Sequence, residues 1–187
     1  MLFSDIAGQP DIKTKLKASA DTGRIPHAQL FIGPEGSGTL PMAIAYAQYV
    51  CCLGNKQGDS CGECSSCRKF AKLAHPDLHF SFPVNTTKKV AKDPVSDDYI
   101  AEWRELVSGN PYFQASAWYT YIGMENKQGL INRKEGDAIV RKLSLKPFES
   151  EYKMMIVWLP EKMHPSVANM LLKLIEEPPD NTLFLMV

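Results

Sequence analysis

Four of the five cysteines lie close together in the sequence, at a spacing typical of a metal site. Cys52, Cys61, Cys64 and Cys67 follow the pattern C-x8-C-x2-C-x2-C, and Cys51 is the fifth cysteine of the chain. The two-residue gaps allow neighbouring thiolates to turn toward one ion, and four thiolates can surround Zn²⁺ tetrahedrally. Because four sulfur ligands leave no open coordination position, the sequence predicts a structural zinc site and not a catalytic one.

Two other states of these thiols stay open from the spacing alone: a redox-active Cys-x-x-Cys pair, and reduced thiols without a metal. The redox pair is disfavoured because it leaves the other cysteines unexplained. A disulfide framework is disfavoured because the cysteines are odd in number and all lie between 51 and 67. The first six residues, MLFSDI, lack the basic start and the apolar run of a secretory signal, so we expect a reducing, cytoplasmic compartment.

A glycine-rich turn between a strand pattern and a helix pattern has the layout of a phosphate-binding loop. Gly33, Gly36 and Gly38 fit the glycine frame of G-x-x-x-x-G-K-[ST], but Thr39 and Leu40 stand where the lysine and the Ser/Thr belong. The lysine reaches the terminal phosphates and the hydroxyl holds Mg²⁺ in functional loops. Gly33, Gly36, Gly38 and Thr39 are therefore the candidate cofactor-binding residues of a vestigial loop, in which we do not expect ATP.

The second half of such a site is an apolar strand that ends in acidic residues, which manage Mg²⁺ and water. The matching strand pattern, residues 153–159, runs into Trp158-Leu159-Pro160-Glu161. Glu161 is the only acid nearby, and it lies beyond a proline. Because both halves of the site have lost their chemistry, the sequence predicts no ATP hydrolysis by this chain.

The order of helix and strand patterns indicates the fold that positions these groups. The 187 residues are 44% hydrophobic and 22% charged with zero net charge, a composition that excludes a disordered chain. No run of about 18 apolar residues is present, so we predict no membrane span. The alternation of strands and helices predicts an α/β domain with a mostly parallel sheet flanked by helices, and a small zinc-binding insertion with four cysteines at about 52–67. Helical patterns cover 10–22, 39–52, 96–109, 133–144 and 166–177, and strand patterns cover 28–32, 78–82, 153–159 and 182–187.

Some boundaries follow from capping residues, and one stretch is ambiguous. Ser96 is predicted to cap a helix whose first turn is acidic, and Asn132 with Glu135 has the spacing of a capping box. Residues 112–128 fit either a helix or a strand. The last strand pattern, 182–187, is so apolar that we expect layers on both of its faces, and therefore expect the chain to be a piece of a longer protein.

The degenerate phosphate loop followed by the four-cysteine pattern resembles the AAA+ clamp-loader subunits of bacterial DNA polymerase III. The resemblance covers nearly the whole chain and is weakest across 84–130. The most specific match is NMLLKLIEEPP, residues 169–179, which resembles the family's N-A-L-L-K-x-x-E-E-P-P helix. The other matching segments are residues 3–9 (FSDIAGQ), 24–31 (RIPHAQLF), 75–77 (HPD) and 143–147 (LSLKP).

The resemblance implies a P-loop NTPase-like domain over residues 1–187, truncated at its carboxyl-terminal end. Its register places Trp158 and Leu159 at the family's two acidic positions, which fits the non-hydrolysing delta-prime subunits. It implies the other clamp-loader subunits, gamma/tau and delta, as partners. The sliding clamp and primed DNA would be reached only through the complex. DNA polymerase (nucleotidyltransferase) activity would belong to the holoenzyme.

Two alternatives belong to other classes of function. An active gamma/tau-type ATPase is disfavoured by Thr39, Leu40, Trp158 and Leu159. A zinc-containing nucleic-acid-binding module is disfavoured by the zero net charge and by the lack of a basic stripe, although lysines cluster at 88–92.

Overall fold

A computed structural model describes residues 1–54, 56–124 and 127–187. Four strands form one sheet in the order β1-β4-β3-β2, and every neighbouring pair is parallel. The register pairs Gln29 with Leu185, Met155 with Phe184, and Phe80 with Ile156. The strands are β1 (Ala28–Leu30), β2 (Leu78–Ser81), β3 (Lys153–Val157) and β4 (Thr182–Met186).

Helices cover both faces of this sheet, so the predicted α/β class is confirmed. Short 3-10 turns lie at Phe3–Asp5, Ser96–Tyr99 and Pro160–Lys162. Among the described residues, no helix is long and apolar enough to cross a membrane. The helices are α1 (Pro10–Asp21), α2 (Thr39–Val50), α3 (Ser65–Ala71), α4 (Ile100–Gly109), α5 (Ala115–Tyr121), α6 (Arg133–Ser144) and α7 (Pro165–Glu176).

The sheet separates two apolar layers, because successive side chains of a strand point to opposite faces. Met154 and Ile156 of β3 join the layer that contains α2 and α4, while Met155 and Val157 join the layer of α6 and α7. All five residues of β3 are buried, as expected for a central parallel strand. The carboxyl ends of β1 and β3 therefore lie at the same edge of a covered sheet, where ligand sites of α/β folds are built.

The start of the helix near residue 96 differs from its prediction. Ser96 is buried, and its hydroxyl exchanges hydrogen bonds with the backbone of Phe82 rather than capping a helix. The turn that precedes α4 begins instead after Val95. The predicted cap of α6 is correct in its first half, since Asn132 accepts a hydrogen bond from the Glu135 N–H. The Glu135 carboxylate, however, accepts from the backbone N–H of Ser96 at 2.7 Å.

Two helices were not fixed by the sequence patterns. Within the ambiguous stretch 112–128, α5 forms at Ala115–Tyr121, and its buried Trp118 donates from Nε1 to the Pro83 carbonyl at 2.9 Å. Residues 125 and 126 of that stretch lie outside the described part of the chain. Helix α3, at the end of the predicted cysteine insertion, has seven residues, too few for a periodic apolar pattern to indicate it.

A buried carboxylate holds the loop before β3. Asp77, the residue before β2, accepts hydrogen bonds from the backbone N–H groups of Phe148, Glu149 and Ser150 and from the Ser150 hydroxyl. Burial by itself raises the pKa of the Asp77 carboxyl, but these four donors outweigh it and hold the pKa below its ordinary value. The ionised form of Asp77 therefore stabilises the fold.

We expect Asp77→Asn to lower the free energy of unfolding by about 2 kcal/mol at neutral pH, because hydrogen bonds to a charged acceptor are lost. The lowered pKa means that this contribution is complete above the unfolded value of 3.8 and disappears as the pH falls through the folded-state pKa. Urea unfolding at several pH values measures both effects. Asp97→Asn is the control, since Asp97 pairs with Lys142 at the surface and should change stability by less than about 1 kcal/mol. Equal losses in the two variants would contradict the assignment.

Candidate metal centre and phosphate-loop cleft

The four cysteines with metal-site spacing converge into one group, here called the cysteine cluster (Cys52, Cys61, Cys64 and Cys67). Their Sγ atoms all lie within 4.8 Å of one another. Cys52 comes just after the end of α2, and Cys67 lies in α3, while the other two lie on the loop between these helices. The Sγ atoms of Cys61 and Cys67 are 3.9 Å apart. Four thiolates bound to one Zn²⁺ at about 2.3 Å lie about 3.8 Å apart, so the cluster fits a tetrahedral site.

The backbone around the cluster is arranged to favour thiolates. The N–H groups of Cys61, Cys64 and Cys67 point at the sulfurs of Cys52, Cys61 and Cys64 respectively, at 3.3–3.4 Å. Gly54 permits this packing, because a Cβ there would lie 2.5 Å from the Cys61 sulfur.

Individual thiols in the cluster differ in acidity. Burial by itself raises the pKa of the Cys64 thiol, but the N–H groups of Cys67 and Leu53 lower it to about 6. Burial raises the pKa of Cys67, the most enclosed ligand. A metal ion bound here must therefore displace protons, so its affinity should rise with pH.

Cys51 does not belong to the cluster. Its side chain is buried in the main apolar layer, and burial raises the pKa of its thiol to about 12. A thiol that stays protonated is a poor metal ligand and a poor nucleophile. Cys51 is therefore a core residue, and it gives a matched control for substitutions of the cluster.

The glycine loop (residues 33–38) joins β1 to α2, as the strand-turn-helix pattern predicted. Gly36 and Gly38 have φ values of +75° and +93°, in the left-handed region that favours glycine. Gly38 caps α2, and Thr39 is the first helical residue. The start of α2 thus lines the cleft with Gly38, Thr39 and Leu40, and no lysine follows the last glycine of the loop.

The cleft beside the glycine loop has a volume of about 290 Å³ and is bounded by the residues after β3, Trp158–Glu161, and by Pro111 and residues 113–115. Glu35 and Glu161 are the charged side chains of its lining. Among the described lining residues there is no lysine, arginine or histidine. The cleft therefore combines two carboxylates with the positive end of one helix, a poor electrostatic match for a triphosphate.

The two positions that the resemblance aligns with the family's acids, Trp158 and Leu159, are used here for packing and for a backbone hydrogen bond. Trp158 is 5% exposed, and its ring centroid lies 5.2 Å from that of Trp103 and 5.1 Å from that of Phe113. Leu159 adopts φ +57° and donates its N–H to the Val187 carbonyl at 2.7 Å. Leu40, where a Mg²⁺-binding hydroxyl belongs, is buried in the same apolar layer. Apolar contacts thus occupy the space in which charged groups would act.

Sequence patterns did not indicate the residue that supports the glycine loop from behind. A Cβ on Gly38 would lie 3.1 Å from the Tyr112 ring, and one on Gly36 would lie 3.1 Å from the Tyr112 carbonyl oxygen. Tyr112 follows the loop by more than seventy residues and carries no local signal of this contact. The predicted loop residues themselves, including Gly33 and Thr39, lie together along one wall of the cleft.

Comparison with known proteins decides the family. The family model described as "DNA polymerase III, delta subunit" matches residues 8–187, nearly the whole chain. The chain belongs to this family. Family membership agrees with the resemblance carried by the sequence motifs and with the parallel sheet.

Individual relatives in this family carry two subunit names. The chain is 27% identical over 183 residues to DNA polymerase III subunit gamma/tau of Mycobacterium tuberculosis, which covers 98% of the chain and 24% of the relative. It is 25% identical over 179 residues to subunit delta' of Bacillus subtilis, with 96% and 41% covered, and 27% identical over 176 residues to subunit delta' of Yersinia pestis, with 92% and 38% covered. The chain thus spans a quarter to two fifths of the length of these relatives.

A solved structure supports the fold independently. The crystal structure of a DNA polymerase III gamma subunit-related protein from Thermotoga maritima superposes with a TM-score of 0.51 at 16% identity. The superposition covers 93% of the chain and 38% of that structure's chain. This likeness concerns the fold alone. Because the relatives include both gamma/tau and delta' subunits, the role of the cleft has to be inferred from its own side chains.

Proposed function

We propose that this chain acts as a non-hydrolysing, delta-prime-type subunit of a DNA polymerase III clamp loader. The observation that carries the proposal is the lining of the cleft, which has two carboxylates and, among the described residues, no basic side chain. Phosphoryl transfer depends on cations placed around the phosphates, since there is little covalent chemistry for the protein to perform. A cleft with two carboxylates and no basic side chain among its described lining residues is poorly suited to phosphoryl transfer, so we assign the chain a structural role in the loader.

The packing of Trp158 and Leu159 supports the same conclusion. An active gamma/tau-type subunit needs acids at the end of the strand that neighbours the phosphate loop, but here the indole of Trp158 lies among other aromatic rings. Burial in that environment would raise the pKa of a carboxyl group and keep it neutral. Relatives of both subunit types match the chain at similar identity, so the choice of delta-prime depends on these side chains.

For the cysteine cluster we propose a structural Zn²⁺ ion. Thiolate ligands favour Zn²⁺ over Mg²⁺ and Ca²⁺, which prefer oxygen, and four cysteines form a closed tetrahedral shell. The ion would join the end of α2 to α3, and so hold an insertion that contains few apolar side chains of its own. When bound, the ion would hold the four sulfur ligands in place and take no part in catalysis.

The proposed partners are the other subunits of the loader, gamma/tau and delta, with the sliding clamp and primed DNA reached through the assembled complex. The proposed domain assignment is an AAA+-like amino-terminal domain. It belongs to a machine whose ATP is hydrolysed elsewhere.

The test is nucleotide binding and Mg²⁺-dependent hydrolysis by the purified chain, with the zinc content measured on the same sample. We expect about one zinc per chain, no turnover of ATP, and no saturable binding of a fluorescent ATP analogue below millimolar concentration, because the cleft lacks counter-charges for the phosphates. Turnover that disappears with EDTA would contradict the delta-prime assignment. Tight, salt-dependent binding of primed DNA by the isolated chain would favour the nucleic-acid-binding alternative.

A further inference from the structure

The amino-terminal segment (residues 1–7) contacts the loop that carries the cysteine cluster. The carboxylate of Asp59 accepts hydrogen bonds from the backbone N–H of Phe3 at 3.2 Å and of Ser4 at 2.9 Å, across more than fifty residues of sequence. It also accepts from the N–H of Ser60 at 2.7 Å. Phe3 and Ser4 begin a 3-10 turn, whose first N–H groups have no partner within the turn. Asp59 therefore caps this turn from a distant part of the chain.

Asp59 lies between two ligands of the cysteine cluster, two positions before Cys61. The same loop receives a second contact, since the ammonium group of Lys17 in α1 donates to the Gly58 carbonyl at 2.8 Å. Cys52 and Cys61 close the loop at its two ends. Fixing these two sulfurs on one ion would fix the position of the Asp59 carboxylate between them.

The amino-terminal segment continues to the wall of the phosphate-loop cleft. The N–H of Ala7 donates to the Tyr112 hydroxyl at 3.3 Å, and the Tyr112 ring is the group that backs Gly38. Ile6 is buried next to the same glycine, 3.9 Å from the position of a Cβ there. The cysteine cluster and the glycine loop lie at opposite ends of α2, about 18 Å apart for a helix of twelve residues, so they do not meet directly.

We propose that metal binding by the cysteine cluster orders the amino-terminal segment through the carboxylate of Asp59, and thereby fixes the support behind the glycine loop. The inference rests on the proposed function only in taking the cluster as a metal site. Other contacts of the segment are independent of the metal. The amino group of Met1 donates to the buried side chain of Gln48 at 2.8 Å, and the ring of Phe3 lies 5.7 Å from that of Tyr49. Loss of the metal should therefore loosen the turn at Phe3–Asp5 without unfolding the domain.

Amide hydrogen exchange followed by NMR on the whole chain, with zinc bound and after chelation, tests this proposal. Chelation should accelerate exchange at Phe3 and Ser4 by about tenfold or more, because two N–H groups lose a charged acceptor. Asp59→Ala should give the same acceleration while it still binds one zinc, and chelation of this variant should add no further effect there. Amides of Met155 and Phe184, in the buried strands β3 and β4, exchange through global unfolding; they should speed up only with the loss of global stability and remain slower to exchange than those of Phe3 and Ser4.

Glu63→Ala is the matched control, since Glu63 is an exposed carboxylate between two other ligands of the cluster, Cys61 and Cys64. It should change neither zinc content nor exchange at Phe3 and Ser4. Zinc binding without any effect of chelation on these two amides would overturn the inference and leave the proposed zinc site intact. Failure of the chain to take up zinc would overturn both. Loss of zinc from Asp59→Ala would also overturn it, because Asp59 would then act on the cluster and not downstream of it.

Discussion

Cys67→Ala is expected to abolish stoichiometric metal binding and to lower the free energy of unfolding by about 4 kcal/mol when free metal is held at a thousand times its Kd. The physical reason is linkage, since a metal that binds only the folded cluster stabilises the fold by its own binding free energy. For a domain of this size the midpoint of thermal unfolding should fall by roughly 8–16 °C. Metal analysis and thermal unfolding in the presence and absence of a chelator measure the effect.

Cys51→Ala is the control for this substitution, because Cys51 is also buried and also loses one sulfur atom, but it lies outside the cluster. It should keep one metal per chain and lose only about 1 kcal/mol, the cost of removing a small apolar group. Chelation should bring the wild-type protein to within about 1 kcal/mol of the stability of Cys67→Ala, the remainder being the buried sulfur that the variant also loses. If chelated and untreated wild-type protein unfold at the same temperature, the cluster does not hold a structural metal.

Trp158→Asp, which restores an acid at the end of β3, is expected to destabilise the domain by more than about 4 kcal/mol. Truncating a buried tryptophan costs about 3–5 kcal/mol, and a carboxylate left among the rings of Trp103 and Phe113 adds the penalty for an unpaired buried charge. An acid at this position therefore should not produce Mg²⁺ binding, because the side chain of residue 158 packs among aromatic rings of the apolar core. Urea unfolding followed by far-UV circular dichroism measures the loss independently of tryptophan fluorescence.

Two variants bracket this result. Trp158→Phe keeps an aromatic ring beside Trp103 and Phe113, so its loss of unfolding free energy should be no more than about half that of Trp158→Asp. Thr39→Lys restores the other missing group, but Thr39 is half-buried at the cleft and not in the aromatic cluster, so it should change stability by less than about 1 kcal/mol. A stable Trp158→Asp that binds Mg²⁺ would mean that the cleft is a latent active site and would contradict the delta-prime proposal.

Local patterns predicted most of the helices and strands correctly. The helix at 133–144 has a strong apolar stripe and a capping asparagine, and the structure places α6 at Arg133–Ser144. The strand pattern at 153–159 corresponds to β3, which is two residues shorter at its end because Trp158 and Leu159 leave the extended conformation to line the cleft. Such features depend on residues within a few positions of one another, so the sequence carries them directly.

The sequence patterns gave a wrong prediction, or none, where a side chain forms a hydrogen bond with a residue far away in the sequence. Ser96 has the residue type of a helix cap, but its hydroxyl bonds to the backbone of Phe82 in the core. Asp59 has the type of a turn residue, yet its carboxylate holds N–H groups more than fifty positions away. A serine or aspartate can satisfy several kinds of donor, and only the folded chain selects one of them.

The sequence by itself determined the α/β class, the family motifs, the cysteine spacing and the loss of the phosphate-loop lysine, because each is set by residue types at short, fixed separations. Tertiary structure alone decided that Trp158 joins an aromatic cluster, that the cleft has no basic side chain among its described lining, and that Asp59 links the cysteine cluster to the amino-terminal segment. These features depend on contacts between residues tens of positions apart. Burial and the register of a parallel sheet determine such contacts, and no local pattern encodes them.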